Sequence, residues 1–205
     1  MITCIAFDLD VLVPAVADLP AELGPARATV AEVVEGIVGE PRHRRMVTAS
    51  FRDGSHLREF AKAAGIGPRD DVVVTHDHVI RGSEWLVNRW ERGPVLKHVA
   101  LAKRAEGLTL TQMLDGWRNH GGTVQGPGGP TVTIPERERG LAYVQHHPTI
   151  DDREWLYDAV TQVWFDDLEA LKARAEWFAT GPGSAPQRLF RQSWFLALRE
   201  TPLLP

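Results

Sequence analysis

The order of short apolar segments along this chain predicts an α+β protein built from two ferredoxin-like halves. Strand-like and helix-like segments alternate in both halves of the 205 residues. The strand-like segment 47–51 and the helix-like segment after it have counterparts at 160–165 and 168–175. A half of roughly 100 residues buries too little surface to leave one sheet face bare. We therefore expect two antiparallel sheets packed face to face with helices outside, divided into residues 1–90 and 94–205.

The first half predicts, in order, a strand at 2–7, a helix at 25–38, a strand at 44–51, a helix at 55–65 and a strand at 72–80. The first helix is indicated by Val30, Val33 and Ile37, which recur at helical spacing. Gly39 and Pro41 follow as stop signals. These segments together provide the alternating elements of one ferredoxin-like unit.

The second half predicts a strand at 95–102, a helix at 109–119, a loop at 123–139, a strand at 141–147, an apolar stretch ending at 164, a helix at 167–178 and a strand at 190–198. Thr109 is suited to cap the first of these helices, since its hydroxyl can accept from a free backbone N–H. The loop is rich in Gly and Pro, which is typical of a flexible lid.

Composition excludes several classes of protein. Hydrophobic residues make up 43% and charged residues 24% of the chain, as in ordinary globular proteins. The net charge is −4, so the chain lacks the excess of basic residues that nucleic-acid binding requires. The single Cys4 allows no internal disulfide, and no apolar run approaches the roughly 18 residues of a membrane span. With no secretory signal visible, we expect a soluble cytoplasmic protein.

Several motifs of the second half together resemble the EthD family of dimeric α/β-barrel proteins. They are Trp117 with His120, the segment Tyr-Val-Gln-His-His-Pro at 143–148, and residues 157–171. The first half resembles the family only in its order of elements, as a degenerate repeat. The resemblance implies an intrachain α/β-barrel-type sandwich. It also implies cofactor-independent chemistry, as in cyclases, dehydratases, decarboxylases and isomerases of polyketide and antibiotic biosynthesis.

The candidate site lies on the strand at 141–147. Strand alternation places Tyr143, Gln145 and His147 on one face and His146 on the other. By the resemblance, His147 is the catalytic base, His120 or Tyr143 is the acid or oxyanion donor, and Gln145 orients the substrate. His120 alone could equally cap its helix, where a positive imidazole is favoured.

Large rings suit the wall of a pocket for a flat substrate. Five of the seven Trp residues stand in the second half, although most are expected in the core. Trp117, Trp164 and Tyr157 are the predicted substrate-binding side chains.

The sequence leaves three functions open. The first is enolisation of a small hydrophobic or aromatic polyketide-type substrate, followed by cyclisation, dehydration or decarboxylation. The second is cofactorless oxygenation of an anthrone-like substrate, and the third is binding without catalysis. We expect no cofactor and no metal, because His76 and His78 lack the further ligands that a metal site needs. We also expect a monomer or a homodimer without membrane or nucleic-acid partners.

Overall fold

The computed structural model of the chain describes residues 1–9, 24–63, 71–118, 123–125, 131–150, 154–181 and 188–204. The strands within these ranges are β1 (Ile2–Phe7), β2 (Arg27–Val33), β3 (Arg45–Phe51), β4 (Val72–Arg81), β5 (Val95–Arg104), β6 (Thr123–Gln125), β7 (Thr131–Thr133), β8 (Ala142–Pro148), β9 (Ala159–Phe165) and β10 (Phe190–Leu204). The helices are α1 (Gly54–Ala63), α2 (Ser83–Asn88), α3 (Leu110–Trp117), α4 (Glu136–Arg139) and α5 (Leu168–Ala179), with a 3-10 turn at Arg89–Arg92.

Eight of the strands form a closed antiparallel barrel in the order β1-β3-β2-β10-β5-β9-β8-β4. Two pairings join the halves of the chain. Strand β2 pairs with β10, where Val30 faces Thr201, and β4 pairs with β8, where Asp77 faces His146. The short hairpin β6-β7 stands apart from the barrel as a two-stranded sheet.

The predicted sandwich of two sheets with helices outside was wrong. The strands of the two halves hydrogen-bond edge to edge into one barrel, and the described helices are few and short. An open sheet exposes unpaired N–H and C=O groups at its edges, and closure satisfies them. The barrel therefore has one continuous inner face. The predicted division at residues 1–90 and 94–205 stays a prediction; each of these segments contributes four neighbouring strands.

The helix predicted at 25–38 was also wrong, because Arg27–Val33 is the strand β2. This segment hydrogen-bonds to β3 on one side and to β10 on the other. Its valines and Thr29 are β-branched and suit a pleated strand better than a helix. The spacing of these residues fits both a helix and a strand. Hydrogen bonding to the neighbouring strands β3 and β10 selects the strand.

Alternation along the strands divides the apolar residues into an inner core and several outer clusters. Ile5, Val99 and Leu196 belong to the inner core of the barrel, together with Met46 and Val73. Outer clusters contain α1, α3 and α5 residues packed on the other strand faces. The outer face beneath α3 and α5 positions the candidate site. None of the described helices is both long and apolar enough to cross a membrane.

Candidate functional site

A cavity of about 80 Å³ lies between the barrel and the helices of the C-terminal half. Its floor is the outer face of strands β5, β9 and β10, where Ala102 and Thr161 stand. Trp117 of α3 and Phe178 of α5 form its walls, and Val124 of the β6-β7 hairpin closes it. We call this space the outer cavity. The loop predicted at 123–139 as a lid contains β6, β7 and α4, and its described residues Thr123, Val124, Ile134 and Arg139 contribute to the wall.

Three arginine side chains line the outer cavity: Arg81, Arg139 and Arg174. Their guanidinium groups donate to main-chain carbonyls, namely those of Ile134, Glu138, Arg139 and Gly140. Within the described part of the chain, none of the three is in a salt bridge with a carboxylate. The Glu138 carboxylate acts on Arg174 from beyond salt-bridge distance. Three cations outnumber this carboxylate, so the cavity is suited to a negatively charged group.

Arg174 is the most buried of these cations, with 6% of its surface exposed. Burial lowers the pKa of its guanidinium to about 10, so the group remains charged at neutral pH. Its Nε donates to Nδ1 of His98 at 3.3 Å. Burial, with Arg174 close by, holds the pKa of His98 well below its usual value. A neutral imidazole that packs against both Phe178 and Phe195 therefore orients Arg174.

Tyr143, Gln145 and His147 form a hydrogen-bonded row along the outer face of β8. The Gln145 Nε2 donates to the Tyr143 hydroxyl at 3.2 Å and to the main-chain oxygen of Trp117 at 3.1 Å. The amide oxygen of Gln145 therefore faces Nε2 of His147, at 3.0 Å. This imidazole nitrogen must carry the proton, because a carbonyl oxygen only accepts. Only Tyr143 of the row lines the outer cavity.

The protonation states of the row follow from its burial. Burial raises the pKa of the Tyr143 phenol. It lowers the pKa of His147 to about 4, with further contributions from His78 and Arg118. At neutral pH, Tyr143 is a protonated phenol and His147 a neutral imidazole. Because Gln145 donates to the phenol oxygen, the Tyr143 O–H remains available as a donor toward the cavity.

Trp117 is the last residue of α3, and the N-terminal cap of this helix helps to hold it in place. Thr109 accepts from the backbone N–H of Gln112, and the Gln112 side chain accepts from the Thr109 N–H. This reciprocal cap orders the first turn of the helix. At the other end, the Trp117 ring stacks on His147 with ring centroids 4.9 Å apart. The predicted N-cap is therefore confirmed, and it helps to set one wall of the cavity.

Four of the predicted site residues meet here: Trp117, Tyr143, Gln145 and His147. The predicted His120 lies outside the described residues. Trp164 points into the barrel, where its indole N–H donates to Glu200 at 3.1 Å. It therefore does not belong to this site. The alternation that separates His146 from His147 is present, since His146 contacts Asp77 inside the barrel.

Tyr157 is also separated from the others, at the end of the barrel where β1 finishes. Its hydroxyl lies 2.6 Å from Nε2 of His43, whose Nδ1 lies 2.8 Å from Asp8. Asp8 has a positive φ of 55° and also accepts from the N–H of Arg44. Asp8, His43 and Tyr157 thus form a second polar row that the sequence did not indicate.

Sequence reasoning missed the three arginines and His98. Arg174 had a detectable signal, because it shares the buried face of α5 with Leu171, Ala175 and Phe178. A charged residue among apolar positions at helical spacing is seldom buried without a purpose. Arg81 and Arg139 gave no comparable signal. Each stands at the end of a predicted strand or loop, where charged residues are usually exposed.

His76 and His78 are the two histidines that the sequence places side by side on one strand. His78 packs on His147 with ring centroids 4.3 Å apart. Among the described residues, no group of three or more His, Cys, Asp or Glu side chains is placed to hold a metal ion.

Comparison with models of protein families finds no match to this chain, and comparison with curated proteins finds none either. The resemblance to the EthD family therefore stays a prediction. The chemistry of the site has to be argued from its own geometry.

Proposed function

We propose that this protein is a cofactor-independent enzyme that enolises an anionic aromatic or polyketide-type substrate in the outer cavity. Cyclisation, dehydration or decarboxylation would follow in this class of reaction. The observation that carries the proposal is the Tyr143 O–H, held by Gln145 at the surface of a cavity lined by three arginines. The resemblance to the EthD family favours the same class. We further propose a cytoplasmic location.

The Tyr143 phenol would act as the oxyanion donor. When a base removes the proton next to a substrate carbonyl, negative charge develops on the carbonyl oxygen. The phenol O–H donates to that oxygen, and Arg81 and Arg174 balance the charge. Donors that are fixed beforehand in a partly dry cavity stabilise this charge more than water does.

His147 is better suited to hold Gln145 than to act as the base. Its Nε2–H is engaged by Gln145, its ring is covered by Trp117, and it does not line the cavity. We therefore propose it as a positioning residue. His120, the other imidazole predicted for this site, is the remaining candidate for the base.

The walls favour an aromatic or otherwise flat substrate. Phe178, Phe190 and Phe195 line the outer cavity beside Trp117. A volume of about 80 Å³ accepts only the reacting end of such a substrate. A larger molecule needs the β6-β7 hairpin to move away from α5, where Val124 and Ile134 pack with Phe178.

The test uses benzoylacetate, an aromatic β-keto acid, in D₂O. Enolisation exchanges the protons between its two carbonyl groups for deuterium, which proton NMR follows. We expect the protein to accelerate this exchange and Tyr143→Phe to lower the acceleration by roughly 100- to 1,000-fold, the usual loss for one oxyanion donor. The variant should remain folded, because the phenyl ring is retained.

The other tyrosine of the chain gives a direct comparison, since Tyr157 lies at the end of the barrel. We expect the smaller loss from Tyr157→Phe. A larger loss there, or no acceleration by the wild-type protein, would contradict the outer cavity as the site. Oxygen uptake with an anthrone would instead favour the oxygenase that the sequence left open.

A further inference from the structure

A second and larger cavity, of about 300 Å³, lies inside the barrel at the end where β1 begins. We call it the lumen cavity. Thr48, His146 and Gln162 reach it from the strands, and Arg89 and Trp90 cover it from the 3-10 turn. Its volume is at the lower end of the range for small-molecule sites. Nothing in the proposed function uses this space.

Three polar atoms at the wall of the lumen cavity are buried without a partner among the described residues. They are the Thr48 hydroxyl, the Arg89 Nε and the Trp90 Nε1. All three can donate a hydrogen bond, and the two nitrogen atoms can only donate. A buried donor without an acceptor destabilises the folded state, so such a group indicates that a ligand could supply the acceptor.

The acidic groups nearby are already occupied. Glu200 accepts from Arg89 Nη1, from Lys97 Nζ and from the indole of Trp164, and Thr29 donates to it as well. These contacts hold the pKa of Glu200 at about 2, against the effect of burial, so it stays ionised. Its lone pairs are therefore not free for Arg89 Nε.

The Asp77 carboxylate is satisfied in the same way. It accepts from Thr3 at 2.7 Å and contacts Nδ1 of His146 at 2.9 Å. The other nitrogen of His146 lies 2.9 Å from Nε2 of Gln162. Since both imidazole nitrogens are engaged, we assign binding rather than catalysis to this cavity.

The charge around the cavity favours an anion. The guanidinium of Arg89 lies 4.2 Å from the centre of the Trp90 ring, and that of Arg27 lies 5.4 Å from it. Arg27, Arg89 and Lys97, together with the Met1 amine that also acts on Asp77, outnumber the two carboxylates of Asp77 and Glu200. A negatively charged ligand would offset this excess of positive charge.

The rim of the cavity is apolar. Five large hydrophobic residues are exposed among the described residues, and Met1, Val79 and Val87 of these line the lumen cavity. Trp164 and Val144 continue the apolar surface inward. Exposed apolar side chains concentrated around one opening are typical of a ligand-binding site.

We propose that the lumen cavity binds a small aromatic monocarboxylate. Its carboxylate accepts from Arg89 Nε, Trp90 Nε1 and the Thr48 hydroxyl, and its ring lies against Trp164 and Val144. The site is separate from the outer cavity, because the two lie on opposite faces of the barrel wall.

The test titrates the protein with benzoate at pH 7 and follows the ¹⁵N–¹H signals of the indole groups. We expect benzoate to move the Trp90 indole signal and to bind with a stoichiometry of one at this site. Benzyl alcohol, which has the same ring without the charge, should not move it.

Two variants remove one donor each: Thr48→Val, with little change of shape, and Trp90→Phe, which also shortens the ring that Arg89 and Arg27 contact. Each should weaken benzoate binding about tenfold or more, the worth of a hydrogen bond to a charged group. Thr48→Val should not lower the melting temperature of the free protein, because the hydroxyl removed has no partner among the described residues. Trp90→Phe should lower it, because the lost part of the ring contacts Arg89 and Arg27. The binding of Thr48→Val is followed by the Trp90 indole signal, and that of Trp90→Phe by the indole signal of Trp164, which lines the same cavity.

Trp85→Phe is the matched control. The Trp85 indole is likewise buried without a partner among the described residues, but it does not line the lumen cavity. Its loss should leave benzoate affinity unchanged. The proposal is overturned if benzoate leaves the Trp90 signal in place, if benzyl alcohol binds equally well, or if Thr48→Val and Trp90→Phe bind as Trp85→Phe does.

Discussion

Burial holds His147, the last residue of the hydrogen-bonded row on β8, in its neutral form. His147 is 4% exposed and its pKa is lowered to about 4, whereas an ordinary histidine titrates near 6.5. Such a group disfavours the folded state wherever the unfolded chain binds a proton that the folded chain cannot. The pH dependence of stability therefore reports on the row of Tyr143, Gln145 and His147.

The stability that His147 contributes is fully present above pH 6.5 and is lost as the pH falls from about 6.5 to about 4. We expect the free energy of unfolding to drop by roughly 3 kcal/mol from this residue over that window. In His147→Gln, whose amide can still donate to Gln145, this part of the slope should disappear. Urea unfolding at pH 7, 5.5 and 4.5 measures it.

His56→Gln is a suitable control, because this half-exposed histidine of α1 pairs with Asp53, and α1 packs on β1 and β3. It should keep the wild-type slope. Glu200 does not confuse the result, since its own stabilising effect is lost only between about pH 4.5 and 2. An unchanged slope in His147→Gln would show that His147 is not the neutral buried group described here.

At the scale of elements, the turn before β8 decides how this strand meets its neighbour. Gly140 has a positive φ of 71°, and Arg81 donates to its carbonyl oxygen. A Cβ added there would lie 2.6 Å from the main-chain oxygen of Trp164 in β9. Only glycine combines this conformation with such a close approach. The turn thereby sets the start of the strand that carries Tyr143.

We expect Gly140→Ala to destabilise the protein by more than about 2 kcal/mol, because strain and a main-chain clash act together. Gly107 has a similar φ of 81° but nothing within 4 Å of its added Cβ. Gly107→Ala should therefore cost only about 1 kcal/mol, from the conformation alone. Urea unfolding of both variants measures the difference, and equal losses would remove the role assigned to close packing at Gly140.

At the scale of the whole molecule, a buried ionic network ties the 3-10 turn to two strands of the barrel. Glu200 of β10 pairs with Lys97 of β5 and with Arg89, and its side chain is 3% exposed. Burial lowers the pKa of Lys97, with Glu200 opposing the shift. Thr29 of β2 also donates to Glu200, so the network reaches the seam between β2 and β10.

We expect Glu200→Gln to destabilise the protein by about 3 to 5 kcal/mol, since it leaves two buried cations without their anion. The exposed pair of Lys172 and Glu169 provides the control. Glu169→Gln should change stability by less than about 0.5 kcal/mol, because water screens such a pair. Thermal unfolding of both variants tests this, and similar small losses would mean that the network does not stabilise the barrel.

The amino-acid sequence by itself determined most of the local structure. Apolar strand-like segments located β1, β3, β4, β5, β8 and β10, and Thr109 marked the start of α3. Strand alternation also separated His147 from His146, because facing depends only on neighbouring residues. All of these features depend only on residues that are close together in the sequence.

The tertiary structure alone decided the rest. Residues 27–33 fit a helical spacing as well as a strand, and pairing with β3 and β10 selects the strand. Closure of the barrel depends on hydrogen bonds between residues far apart, such as Asp77 with His146 or Val30 with Thr201. The meeting of Arg81, Arg139 and Arg174 at one cavity has the same origin. Local patterns contain no information on which distant partner completes an edge or a site, and that choice is made by the packing of the whole chain.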